Sequence, residues 1–155
     1  SDLHTEALAD AAAELAGRQV AVALFPELAL TGYSCEDLFL SAGLQQATRA
    51  ALSDLAAATA SLRLVCVVGT PWRTGDGRLL NAAAVLAGGR IRGVVPKTHQ
   101  PNYAEYYERR WFVSGAEVDE TVDDPRLGRF RVTRDQLFAL GDVRFAIELC
   151  EDLWA

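Results

Sequence analysis

The sequence predicts a layered α/β (α+β) fold, and three observations predict it. Two short apolar runs, "QVAVALF" (19–25) and "LRLVCVVGTPW" (62–72), read as buried strands. Stretches of helix-forming composition alternate with them. Two later segments place glycine turns between apolar arms, the pattern of β-hairpins.

The elements follow in chain order. "TEALADAAAELAGR" (5–18) sets Leu8, Ala12 and Leu15 on one face at helical spacing, which predicts an amphipathic helix. The strand over 19–25 comes next and ends at Pro26. Residues 35–62 read as helix in two pieces, broken near Gly43. The strand over 62–72 is closed by Gly69 and Pro71. "LLNAAAVLAGGRIRGVVPK" (79–97) predicts two strands joined at Gly88-Gly89, a pair that supplies positive φ without strain. Residues 116–134 are highly charged and predict a surface loop. "QLFALGDVRFAIELC" (136–150) predicts a second hairpin turning at Gly141-Asp142 and running up to Cys150. With no repeat and no linker, residues 1–155 read as one domain.

Bulk properties narrow the function. The chain has 155 residues, enough to bury a real core, and half of them are hydrophobic. A net charge of −6 argues against sequence-independent nucleic-acid binding, which needs a basic surface. No apolar run approaches the roughly 20 residues that cross a bilayer, so no membrane partner is expected. Three cysteines without metal-ligand spacing point to free thiols in a reducing compartment, and the cytoplasm is the expected location. The sequence contains no methionine, which fits a processed chain and a fragment equally.

Three polar residues follow apolar runs. Glu27 stands just past the first strand, in "FPELALTGY". Alone, such an acid reads as a solvated turn residue or a helix cap. Lys97 in "VVPKTHQPNY" likewise follows a strand and a proline, where a lysine reads as a solvated edge charge. Cys150 in "FAIELCEDLW" reads alone as a small buried hydrophobe. "EDLWA" resembles a helix start, however, and a strand-to-helix turn favours a thiolate. Glu148 and Glu151 oppose that charge, so a working thiol there needs a cation and a base close by. Lys97 and Glu27 are groups of that kind at comparable strand ends. Cys66 reads as core, Cys35 lies beside Glu36 and Asp37 with nothing to activate it, and neither His4 nor His99 has recognisable Cys-His spacing. "AGGRIRG" lacks a phosphate-loop pattern.

Taken together, "FPELALTGY", "PKTHQPNYAEYYERRWF" and "ELCEDLW", in that order, resemble the nitrilase (carbon–nitrogen hydrolase) superfamily. "PNYxxxxExR" after the lysine and "CEDLW" at the cysteine look like one branch, the glutaminase domains of glutamine-dependent NAD+ synthetases. The resemblance implies an α-β-β-α sandwich, incomplete in this chain because the family's domain has further strands on either side. It implies a Glu27, Lys97, Cys150 triad that hydrolyses the glutamine side-chain amide, with Tyr103 and Glu151 lining the glutamine pocket. Glu108 would orient Lys97, or else form a surface ion pair with Arg109 or Arg110. No cofactor or metal is implied for this domain; ATP and magnesium belong to a synthetase domain that this sequence lacks. The implied partners are glutamine, a synthetase domain of the same polypeptide, and further copies of the chain in a homo-oligomer. The alternatives are a stand-alone amidase or nitrilase acting on another small amide or nitrile, and an inactive assembly module.

Overall fold

The computed structural model describes residues 4–155. Its centre is a six-stranded sheet built from β1 (Val22–Leu24), β2 (Val65–Arg73), β3 (Leu79–Ala87), β4 (Arg90–Pro96), β5 (Asp119–Asp124) and β6 (Gly128–Thr133). The strand order is β1-β2-β3-β4-β6-β5. Pairing is antiparallel except for β1 with β2 and β4 with β6. A separate ribbon pairs β7 (Phe138–Leu140) with β8 (Val143–Phe145).

The two-residue period of the strands sorts side chains into two cores. On one face Cys66, Val68, Ala82, Ala84, Leu86 and Val94 pack against α1 (Thr5–Gly17) and α2 (Ala42–Ala58), through Leu8, Ala12, Leu52 and Leu55. On the other face Val67, Ala83, Val85 and Val95 meet Phe138 of the ribbon and Leu149, with Phe145 and Ile147 beside them. The layers are therefore helices, sheet and ribbon, the mixed α/β layering expected. No helix among the described residues is long and apolar enough to cross a membrane.

Several elements differ from expectation for identifiable reasons. Residues 116–134 are not a loop: β5 and β6 form a hairpin with Asp119 opposite Thr133 and Asp124 opposite Gly128. Val122 and Phe130 turn to one face while Asp123 and Arg129 between them face out, so charge hid the alternation. Only 22–24 of the first apolar run pairs, with an exposed-buried-exposed pattern. The helical break falls at Ser41, one side being a 3-10 helix (Glu36–Leu40) and the other α2. The Ser41 hydroxyl accepts from Leu44 N at 3.1 Å, which caps α2. β2 runs past Gly69 and Pro71 to Arg73. Its pairing with β1 ends at Leu24 opposite Val67, so Pro71 stands where β2 is paired through β3 and proline is tolerated.

Candidate active site

The chain is pressed into place around Glu27. A Cβ on Gly69 would lie 2.3 Å from both Leu28 N and Pro26 O, so only glycine lets residues 26–28 cross over β2. Leu28 itself has φ of 52° and is fully buried, so the chain turns sharply just after Glu27. Lys97 follows β4 directly, and its backbone N donates to Asn81 O of β3 at 2.8 Å. Gly115 N donates to Lys97 O at 2.9 Å; a Cβ at Gly115 would meet Pro96 Cβ at 2.5 Å.

These two strand ends meet. Lys97 Nζ donates to Glu27 Oε1 at 2.6 Å and to both Glu108 oxygens at 3.0 Å. Lys97 and Glu108 are buried, whereas the Glu27 side chain is 22% exposed and reaches a cavity. Burial alone would lower the Lys97 pKa; the hydrogen bonds to Glu27 and Glu108 outweigh it and hold the ammonium above its ordinary value. Of the two readings of Glu108, the geometry selects contact with Lys97. Arg110 turns instead to Asp37, with Nε 2.7 Å from Oδ1.

Cys150 lies across a cavity of about 320 Å³ that Glu27 also lines. Most of the remaining wall is apolar: Leu24, Phe25, Val67 and Ile147 among others. The sequence predicts a strand running up to Cys150, but β8 stops at Phe145. Leu149 is extended, and Cys150 begins a 3-10 helix (Cys150–Leu153) with φ of 48°. Positive φ is uncommon for a residue with a side chain and stores backbone strain, here at the thiol itself. Desolvation and then the Glu27 carboxylate push the Cys150 thiol above its ordinary range, while Lys97 pulls it down. A thiol so placed rests protonated and needs a base at the moment of attack.

Tyr103 and Glu151 are joined, Tyr103 OH donating to Glu151 Oε2 at 3.0 Å. They sit beside Cys150 at the surface and are not part of the wall of the cavity that Glu27 and Cys150 share.

Sequence reasoning missed three contributors. Asn81 Nδ2 donates to Glu27 Oε1 at 2.7 Å and approaches Glu108 Oε2 at 3.4 Å. Tyr33 OH donates to Glu108 Oε1 at 2.9 Å. Burial and that carboxylate raise the Tyr33 pKa, so it stays a donor. Asp152 accepts from Thr98 N at 3.0 Å and from His99 N at 2.7 Å, which ties the cysteine turn to the residues just after Lys97. Asp152 lies inside the quoted cysteine motif and Tyr33 inside the glutamate motif, so position was the available signal for both. Asn81 had none, because an asparagine in an apolar strand gives no hint of what it faces.

The carbon-nitrogen hydrolase family model matches residues 3–155. The chain belongs to the carbon–nitrogen hydrolase family. Among this family's members, the glutamine-dependent NAD(+) synthetase of Mycobacterium tuberculosis is 42% identical over 139 residues, covering 86% of this chain and 20% of that protein. The synthetase of Xanthomonas campestris pv. campestris is 38% identical over 133 residues, covering 86% and 21%. This carbon–nitrogen hydrolase chain thus spans about a fifth of the length of these relatives. A crystal structure of a glutamine-dependent NAD(+) synthetase from Cytophaga hutchinsonii superposes with a TM-score of 0.87 at 27% identity, covering 96% of this chain and 25% of that one. An amidase of the nitrilase superfamily from Nesterenkonia superposes at a TM-score of 0.64 and 18% identity over 84% of this chain and 48% of the amidase, a likeness of fold.

Proposed function

We propose that this chain is the glutaminase domain of a glutamine-dependent NAD+ synthetase, hydrolysing the glutamine side-chain amide to supply ammonia for amidation of deamido-NAD+. What supports the reading is the joining of buried Lys97, at 2.6 Å, to Glu27, which lines a cavity together with Cys150. The identity of 42% to a relative of that name supports the branch.

Glu27 acts as general base and takes the Cys150 proton as the sulfur attacks the amide carbon. Lys97 stabilises the oxyanion of the tetrahedral intermediate. Its ammonium has three hydrogens: one serves Glu27, one is shared by the two Glu108 oxygens, and the third remains for the oxyanion. Glu27 returns that proton to the departing nitrogen as collapse expels ammonia and leaves a thioester; ionised again, Glu27 takes a proton from the attacking water and passes it to the sulfur as glutamate is released, which restores the thiol. Glu108 holds Lys97; Glu151 with Tyr103, beside the thiol but outside the cavity wall, takes the substrate ammonium group from the surface side. These steps call on no metal or cofactor in this domain; ATP and magnesium serve a synthetase domain of the same polypeptide. The setting is cytoplasmic and the assembly a homo-oligomer.

The apolar walls of the cavity favour a second reading, a stand-alone amidase or nitrilase acting on a small apolar amide or nitrile. Purified protein assayed with glutamine, propionamide and propionitrile separates the two. Glutamate release that is lost in Cys150→Ala supports the first reading; turnover of the apolar compounds alone sinks it.

A further inference from the structure

We infer that Asn81 is a positioning residue for the Glu27 base, fixing which of its two oxygens is free to face the thiol. The inference rests on the hydrolase reading above.

Asn81 stands in β3 opposite Pro71 and is fully buried. Its carbonyl accepts from Lys97 N, so the lysine's strand end is joined directly to it. Its Nδ2 donates to Glu27 Oε1 at 2.7 Å and lies 3.4 Å from Glu108 Oε2. The opposite amide orientation would set Oδ1 against both carboxylates, so electrostatics fixes which end faces them. Lys97 Nζ donates to that same Glu27 Oε1 at 2.6 Å.

Oε1 of Glu27 therefore holds two donors, and Oε2 makes no hydrogen bond among the described residues. The anchored oxygen sets the carboxylate plane. Oε2 is left as the oxygen that accepts the Cys150 proton and later takes one from water. A lysine alone would hold Oε1 as a point charge and leave the carboxylate free to swivel about it. The amide supplies a second fixed direction, carries no charge, and has no proton to lose across the working pH range.

A further observation agrees. Asn81 Oδ1 is buried without a hydrogen-bond partner among the described residues, a cost that a side chain turned for its NH2 contacts accepts. The orphaned oxygen is the consequence of turning the NH2 group toward the carboxylates.

The test uses the natural polypeptide that carries this chain, measuring glutamate release and thermal midpoint for Asn81→Ala and for the isosteric Asn81→Asp. The groups facing the position are Glu27, Glu108 and Lys97. Both variants should lose about 10- to 100-fold in kcat, with KM held within about twofold, because aim at the base is lost while the pocket stays. Relative to Asn81→Ala, the activity of Asn81→Asp should rise as pH falls toward about 5, where a protonated carboxyl donates again and an ionised one cannot. If Asn81→Ala fails to fold, the kcat of Asn81→Asp and its pH dependence against that of the unaltered protein carry the test. Folded variants with unchanged kcat, a loss confined to KM, or an Asn81→Asp activity with the pH dependence of the unaltered protein each overturn the proposal. Failure of the underlying reading registers elsewhere, in an unaltered protein that releases no glutamate or a Cys150→Ala variant that still does, and either result removes the Asn81 proposal with it.

Discussion

Lys97 and Glu108 form an enclosed ion pair: the ammonium nitrogen lies 3.0 Å from both carboxylate oxygens, and the two side chains are 0% and 1% exposed. Such a pair costs desolvation on both sides, and its value shows when one member is removed. Glu108→Ala should destabilise the protein by about 3–5 kcal/mol, through an ammonium left short of partners in the interior. Glu108→Gln, which keeps the shape and one acceptor oxygen, should destabilise less and lower kcat for glutamine, since Glu27 is then the one charged partner left to Lys97. Urea unfolding and steady-state kinetics measure both. Equal stability of Glu108→Ala and the unaltered protein would contradict the buried pair.

The pH dependence of stability follows from the same lysine. Its pKa is raised in the folded state, because the bonds to Glu27 and Glu108 exceed the effect of burial. A cation with a raised folded pKa contributes stability that is fully present below its unfolded value and lost as pH climbs through the folded one. The unfolding midpoint should therefore fall above about pH 10.5, and fall less steeply in Lys97→Met. Parallel curves for the two proteins would count against the linkage.

Cys150→Ala should reduce glutamine hydrolysis by roughly 10⁴-fold or more, as removal of a covalent nucleophile does. On the proposed reading, synthesis driven by added ammonia in the polypeptide that carries the synthetase domain should persist. Retained glutamine turnover would rule out the thioester route.

Glu27→Gln separates two consequences with opposite sign. Hydrolysis should be lost, because an amide cannot take the thiol proton. Alkylation of Cys150 by iodoacetamide should shift to lower pH, since the Glu27 charge is one of the causes holding the thiol up. Lys97→Met should shift that curve the other way, because Lys97 pulls the thiol down. Mass spectrometry of the labelled peptide across pH gives the readout; unshifted curves in both variants would mean that neither charge acts on the thiol.

Gly69→Ala touches no charged group, yet should displace Glu27. The added Cβ would stand 2.3 Å from two backbone atoms of residues 26–28, which have no flexible side chain to move away. Overpacking of this kind costs about 1–3 kcal/mol. A lower thermal midpoint together with lower kcat is expected, and an unchanged enzyme would show that the loop yields easily.

Local chemistry made much of this protein legible from its residues alone. Gly88-Gly89 and Gly141-Asp142 marked two hairpin turns, apolar runs marked β2, β3 and β4, and strand-end prolines flagged Glu27 and Lys97. The motif order carried the family. What needed the fold was any fact depending on which strands become neighbours. Asn81 and Lys97 are sixteen positions apart but adjacent across β3 and β4. Glu108 could equally have paired with an arginine beside it, until burial put Lys97 within reach and sent Arg110 to Asp37. The outer hairpin β5–β6 was hidden because its solvent face is charged and its buried face holds few apolar side chains. Backbone pairing across the sheet decides these matters, and it acts between residues distant along the chain, where composition and spacing carry no information.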